Sequence, residues 1–184
     1  MMTTYSIPEI EERLVQVRDN IVRTVDGLSD ERLFAGSDHS WSAADYLKHL
    51  ILAVKPFAKG LALSGEQLIQ MFERPSAPSR SYEEFSAAYH SLIAAGARAE
   101  LVPTVMPTGY RMPEGVTDVR AYLLETWLDA NARMLKALAG WTEGDLDAYQ
   151  MPHPAVGMAT IREMLYFTIL HNTLHGADIA SKAG

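Results

Sequence analysis

His171 and His175 stand four residues apart in the closing stretch Ile161-Arg-Glu-Met-Leu-Tyr-Phe-Thr-Ile-Leu-His171-Asn-Thr-Leu-His175. On a helix, residues at this spacing project from one face on successive turns, so both imidazoles can reach a single divalent metal ion. A tightly held transition metal normally takes a third protein ligand and leaves a further position for water or substrate. Among the six His of the chain, His49 fits that role best. It falls inside an apolar helical stripe, where a neutral imidazole requires a hydrogen-bond partner or a metal to offset its desolvation. His171 shares a helical face with Ile161, Met164, Leu165 and Thr168, so both helices are expected to aim imidazole inward. The expected centre is one metal on His49, His171 and His175. An ion held there acts as a Lewis acid or lowers the pKa of the group in its open position, be it water, a thiol or a substrate oxygen.

Other constellations are missing, and that narrows the chemistry. His39 lies in a polar loop, His90 beside the apolar stripe of its helix, and His153 between two prolines; each reads as a surface or loop-packing residue. A zincin helix would read His-Glu-x-x-His, whereas Asn172, Thr173 and Leu174 separate this pair. A di-iron bundle needs Glu-x-x-His pairs, and no Glu is followed by His three residues later. There is no Gly-x-Ser-x-Gly elbow and no phosphate-cradling Gly-rich loop. With no Cys in the chain, any metal is held by nitrogen and oxygen donors, and any thiol must come from outside. Neutral imidazoles suit zinc, nickel, iron and copper alike. Asp45 and Glu163 read as helix-capping residues; Asp178, Glu125 and Asp129 are weaker acid candidates. Trp127, Trp141 and the Met residues read as core.

The elements that must position the three His are helices. Ile7, Ile10, Leu14, Val17, Ile21, Val25 and Leu28 step by threes and fours behind Ser6 and Pro8, which predicts a long first helix. After a turn at Ser-Asp-Glu-Arg and a polar loop, Ser42 and Asp45 cap a second helix whose core face carries Tyr46, His49, Leu50, Ala53 and Phe57. Pro56 would either kink this helix or end it early. A third helical segment runs from roughly Tyr82 to Ala99, with Phe85, Tyr89, Leu92 and Ile93 as its stripe. Pro103, Pro107, Gly109, Pro113 and Gly115 mark a long connection crossing one end of the fold. A fourth segment carries Val119, Tyr122, Leu123, Thr126, Trp127, Ala130, Met134, Ala137, Leu138 and Trp141. The loop Met-Pro-His-Pro-Ala-Val-Gly then leads to Thr160, which with Glu163 forms a capping box for the last helix. No segment alternates as a half-buried strand does. The class is all-α, a four-helix bundle with one additional helical segment and a long Pro/Gly-rich connector.

Size and charge agree with such a domain. A chain of 184 residues, 48% hydrophobic, can bury one substantial core and is too short for two, so residues 1–184 are expected to form a single domain. A formal charge of -7 and a pI near 5.3 argue against a nucleic-acid surface, which needs clustered Lys and Arg. The acidic N-terminus lacks the basic-then-apolar order of a signal peptide, and no segment stays apolar long enough to span a bilayer. A cytoplasmic, soluble protein without membrane or nucleic-acid partners is expected.

Two motifs carry a family resemblance. Trp41-Ser-x-x-Asp-Tyr-Leu-x-His49-Leu near the front is followed by His153-Pro-x-x-Gly-Met-x-Thr160-x-x-Glu163-Met-Leu-x-Phe-x-x-x-His171-x-x-x-His175. This ordered set, spread over nearly the whole chain, resembles the DinB/YfiT-like superfamily. The resemblance implies a bundle of up-down-down-up topology with a His triad at one end binding a divalent metal such as zinc or nickel. Position by position, that triad is His49, His171 and His175. It further implies that members are often homodimers and that some relatives use low-molecular-weight thiols such as mycothiol in isomerase or transferase reactions. The segment 82–117 is longer than the family minimum.

Two functions follow as expectations. One is a metal-dependent enzyme, a hydrolase or a thiol-dependent transferase or isomerase, acting on a small molecule. The alternative is a non-catalytic bundle that binds a small ligand or a protein partner, with a structural or vestigial metal site.

Overall fold

The computed structural model describes residues 4–37, 40–97 and 102–183. These residues are predominantly helical. Four long helices, α1 (Ile7–Asp26), α3 (Ala43–Leu61), α6 (Val119–Leu138) and α8 (Ile161–Ser181), carry most of the core. Shorter helices α2 (Asp30–Phe34), α4 (Gly65–Phe72), α5 (Tyr82–Ala94) and α7 (Glu143–Ala148) fill the connections. The long helices pack as α3 on α6, α1 on α8, α3 on α8 and α1 on α6, and α8 also meets α5, α7 and a small hairpin.

Local chemistry explains the helix starts. Ser42 accepts from the Asp45 backbone N–H while the Asp45 carboxylate accepts from the Ser42 backbone N–H, and Thr160 and Glu163 repeat that exchange at the head of α8. Each such box satisfies two backbone donors that the helix leaves over, a contribution of about 1 kcal/mol. The α1 stripe is buried at Ile10, Leu14, Ile21 and Val25 as its spacing predicts. α3 runs through Pro56 to Leu61 without ending. Every residue of α8 from Ile161 to Asn172 is buried, because neighbours surround that half of the helix on all sides.

The chain departs from the sequence expectations in four places. The turn expected at Ser29–Arg32 is the start of α2, capped by Ser29. Helices α4 and α7 occupy stretches that carry too few residues for a long apolar period, although Ser64/Gln67 and Thr142/Asp145 box their starts. α5 stops at Ala94 rather than reaching Ala99: Ala95 and Gly96 cap it, Gly96 taking a positive φ of 101°. Residue 99 lies outside the described residues. The loop before Thr160 is a two-stranded antiparallel ribbon, β1 (Gln150–His153) and β2 (Gly157–Thr160), in the register Gln150 to Thr160 and His153 to Gly157. Strands of four residues with a proline inside give no readable alternation, and Pro152 is tolerated because a two-stranded ribbon consists of edges.

The ribbon reaches α3 through the Met151 side chain, whose sulfur would stand 2.5 Å from a Cβ at Gly60, so a larger residue there would make the flexible thioether shift. The connector after α5 contains two 3-10 turns, Pro103–Val105 and Pro107–Gly109, and both pack on α3. Ribbon and connector thereby close over the region where α3 and α8 meet.

Candidate metal centre

The three expected imidazoles come together. His49 on α3 and His171 and His175 on α8 place one ring nitrogen each within 4.8 Å of one another. Their ring centroids are 4.9 Å (His49 to His171), 4.9 Å (His49 to His175) and 4.6 Å (His171 to His175) apart. His49 and His171 are 2% and 5% exposed, while His175 is half-buried and forms the open side. Trp41, Tyr46 and Phe167 pack their rings around the group.

Hydrogen bonds orient two of the three rings. His49 Nδ1–H donates to the carbonyl of Val105 at 2.8 Å, which leaves the Nε2 lone pair directed at the cluster. His175 Nδ1–H donates to Asp178 Oδ2, also at 2.8 Å, with the same consequence. Imidazoles that ligate metals characteristically give their outer N–H to a carbonyl or a carboxylate, which fixes the tautomer and raises ligand basicity. His49 Nε2 and His171 Nε2 lie 2.9 Å apart. Two nitrogen lone pairs at that distance repel unless a proton or a cation sits between them, so His171 donates a proton to His49 or both nitrogens share an ion. Burial first, and then the neighbouring His175 and His49, holds the His171 imidazole well below its ordinary pKa. A ring kept neutral is a ring ready to bind metal without first losing a proton.

The donor set fits a borderline transition ion. Among the described residues the group contains imidazole nitrogen and no carboxylate, a composition that suits zinc, nickel, iron or copper and not the oxygen-seeking magnesium or calcium. The three His also line a cavity of about 1220 Å³ that reaches along α3 past Ala53 and Phe57. An ion held by these three residues would lie beside that space, with room for water or a small molecule, unlike a closed structural centre.

The remaining sequence candidates separate cleanly. Asp45 and Glu163 cap their helices, and each also pairs with a cation, Lys48 and Arg80 respectively. Asp129 pairs with Arg133 on the exposed face of α6, and Glu125 is exposed on the same helix. Trp127 is fully buried, and Trp141 is partly buried with its indole N–H on the Leu61 carbonyl. His90 is exposed and donates to the Ser86 carbonyl. His39 lies outside the described residues. His153 packs in its loop as expected, but against the cavity: its ring sits 4.0 Å from that of Phe167, and its Nδ1 accepts from the backbone N–H of Ala155 and of Val156. Desolvation pushes its pKa down to about 4.

Sequence reasoning ranked Asp178 too low and missed Val105. The Asp178 carboxylate is three residues from His175, a spacing that places both on one helix face and is readable in the sequence. The Val105 contact comes from a backbone carbonyl, which no side-chain pattern discloses.

None of the curated proteins compared matches the chain. A family model described as the DinB superfamily matches residues 13–179, a span that includes all three His. By that match, extending over most of its length, the chain belongs to the DinB superfamily.

Proposed function

We propose that this protein is a metal-dependent enzyme in which His49, His171 and His175 hold one divalent ion, zinc or nickel, within a four-helix bundle formed by α1, α3, α6 and α8. The pairwise packing of those helices supports the bundle, and the family supports its up-down-down-up course. One observation carries the functional reading: three convergent imidazoles, two with their outer N–H engaged by Val105 and Asp178, open on a cavity large enough for a small molecule. Bound there, the ion supplies Lewis-acid chemistry and eases deprotonation of water or a thiol. The chain's own residues do the rest. Val105 and Asp178 hold His49 and His175 in position, and Phe167 and Trp41 keep bulk water from the buried side of the triad. His153, with two backbone N–H groups on Nδ1, keeps its proton on Nε2 and offers that N–H as a hydrogen-bond donor. The reaction class proposed is hydrolysis or thiol-dependent transfer or isomerisation of a small molecule, with the thiol supplied from outside.

A second reading draws on a different observation. Among the described residues no carboxylate lines the cavity, so no acidic general base faces it, which favours a binding protein with a structural metal. A screen for thiol-transfer and hydrolase activity separates the two readings. The enzyme reading expects an activity that chelation abolishes and added zinc or nickel restores. Chelation that lowers thermal stability and leaves every detected activity intact would favour the binding protein.

A further inference from the structure

The cavity beside the triad is large, and among the described residues its lining includes no Asp, Glu, Lys or Arg. Its walls away from the imidazoles are Leu52, Ala53, Phe57, Phe72, Ile93 and Met106. Two of the polar groups that line it are neutral. Two backbone donors occupy Nδ1 of His153 and so hold its ring in the neutral Nε2–H form, and burial keeps the Tyr89 hydroxyl protonated by raising its pKa. The carboxylate nearest the triad, Asp178, sits behind His175 and binds its outer nitrogen rather than lining the cavity.

From this we infer that the site takes an uncharged, chiefly apolar molecule with a single polar end at the triad, and rejects ligands whose body carries a charge. The physical ground is desolvation. An apolar ligand gains by leaving water along the whole cavity, whereas a charged group placed among Phe57, Phe72 and Met106 loses its hydration and meets no counter-ion among the described lining residues. Specificity of this kind comes from the unpaired charge in the wrong ligand as much as from contacts to the right one. The inference rests on the reading of the triad as the polar end of a binding site, and it narrows the co-substrate: a thiol with carboxylate groups along its length is disfavoured against a neutral one.

A pair of fluorescent probes that differ by one sulfonate tests it, phenylnaphthylamine being neutral and anilinonaphthalenesulfonate anionic. Both are titrated into the full chain, zinc-free and zinc-loaded, with zinc content measured on the same samples. The neutral probe is expected to bind at one site per chain, and about tenfold or more tighter than the anionic one, in the zinc-free protein. Ala53 lies one turn beyond His49 on α3 and lines the cavity, so Ala53→Lys places a cation there and is expected to shrink or reverse the preference. Equal or tighter binding of the sulfonate by the unaltered chain would overturn the inference, and so would a ratio unchanged by a folded Ala53→Lys protein. The ratio in the unaltered chain stands whether or not that variant folds. A chain that takes up no zinc yet keeps the neutral preference contradicts the metal reading and leaves this one intact.

Discussion

The two halves of α8 bury polar groups in opposite ways. At its head, Arg162 is 3% exposed and each of its three guanidinium nitrogens donates: a two-point contact with Asp147, a contact with Glu143, and the carbonyl of Tyr5. Asp147 also accepts from Ser79, which meets Thr160, whose box partner Glu163 accepts from Arg80. Burial works against ionisation of Asp147, yet Arg162 and Ser79 hold its carboxyl below the usual range. That network ties α7, the segment before α5 and the N-terminus to α8. Nine residues further on, His171 is equally buried, and its ring nitrogen faces another ring nitrogen. A buried polar cluster that completes itself is structural; one whose donors converge on a shared point and open on a cavity is a site.

Breaking the first cluster should produce the largest change. Arg162→Ala leaves the part-exposed carboxylates of Asp147 and Glu143 and the carbonyl of Tyr5 without their donor and is expected to cost about 2–4 kcal/mol in urea unfolding, with the zinc affinity of the folded fraction unchanged. A small stability loss accompanied by lost zinc binding would erase the distinction between the two halves.

Acid titration sharpens the comparison next. His153 and His171 are neutral in the fold with lowered pKa values, while in the unfolded chain His takes up a proton near pH 6.5. Below that pH the unfolded state binds more protons, so stability of the metal-free protein is full at pH 7 and declines as pH falls from about 6.5 toward 4. With its pKa near 4, His153 accounts for on the order of 3 kcal/mol of that decline. His153→Gln is expected to flatten the pH profile of unfolding; profiles that run parallel would show that the ring is not desolvated.

Smaller effects probe the support of the triad. Asp178→Asn keeps a hydrogen-bond acceptor for His175 but removes its charge, and is expected to weaken zinc binding about 10- to 100-fold while changing metal-free stability by less than about 1 kcal/mol. His171→Leu replaces a desolvated imidazole with an apolar side chain of similar size. Its metal-free stability should stay within about 1 kcal/mol of the original or rise. A loss comparable to that of Arg162→Ala would mark the triad as structural.

Much of this site is legible in the sequence because it follows local rules. The spacing of His171 and His175, the Ser42/Asp45 and Thr160/Glu163 boxes, and the stripe that carries His49 depend on helical period and capping alone. The remainder depends on packing between segments distant in the chain. Val105 reaches His49 through a backbone atom across 56 positions, and the connector that carries it shows only prolines and glycines. The ribbon that sets His153 against Phe167 is too short and too proline-rich to alternate. Helix α7 was signalled by its capping box at Thr142/Asp145, but six residues give no period to accompany it. The absence of Asp, Glu, Lys and Arg among the described lining residues depends on walls contributed by several elements, so no single segment reveals it.

The central claim is that His49, His171 and His175 together form one metal-binding centre. Calorimetric titration of the metal-free chain with zinc, repeated on His49→Ala, His171→Ala and His175→Ala, tests it most directly. One zinc per chain is expected for the unaltered protein, and at least about a hundredfold weaker binding in each variant that retains its helical circular dichroism. Zinc bound by folded His171→Ala at the original stoichiometry and affinity would contradict it.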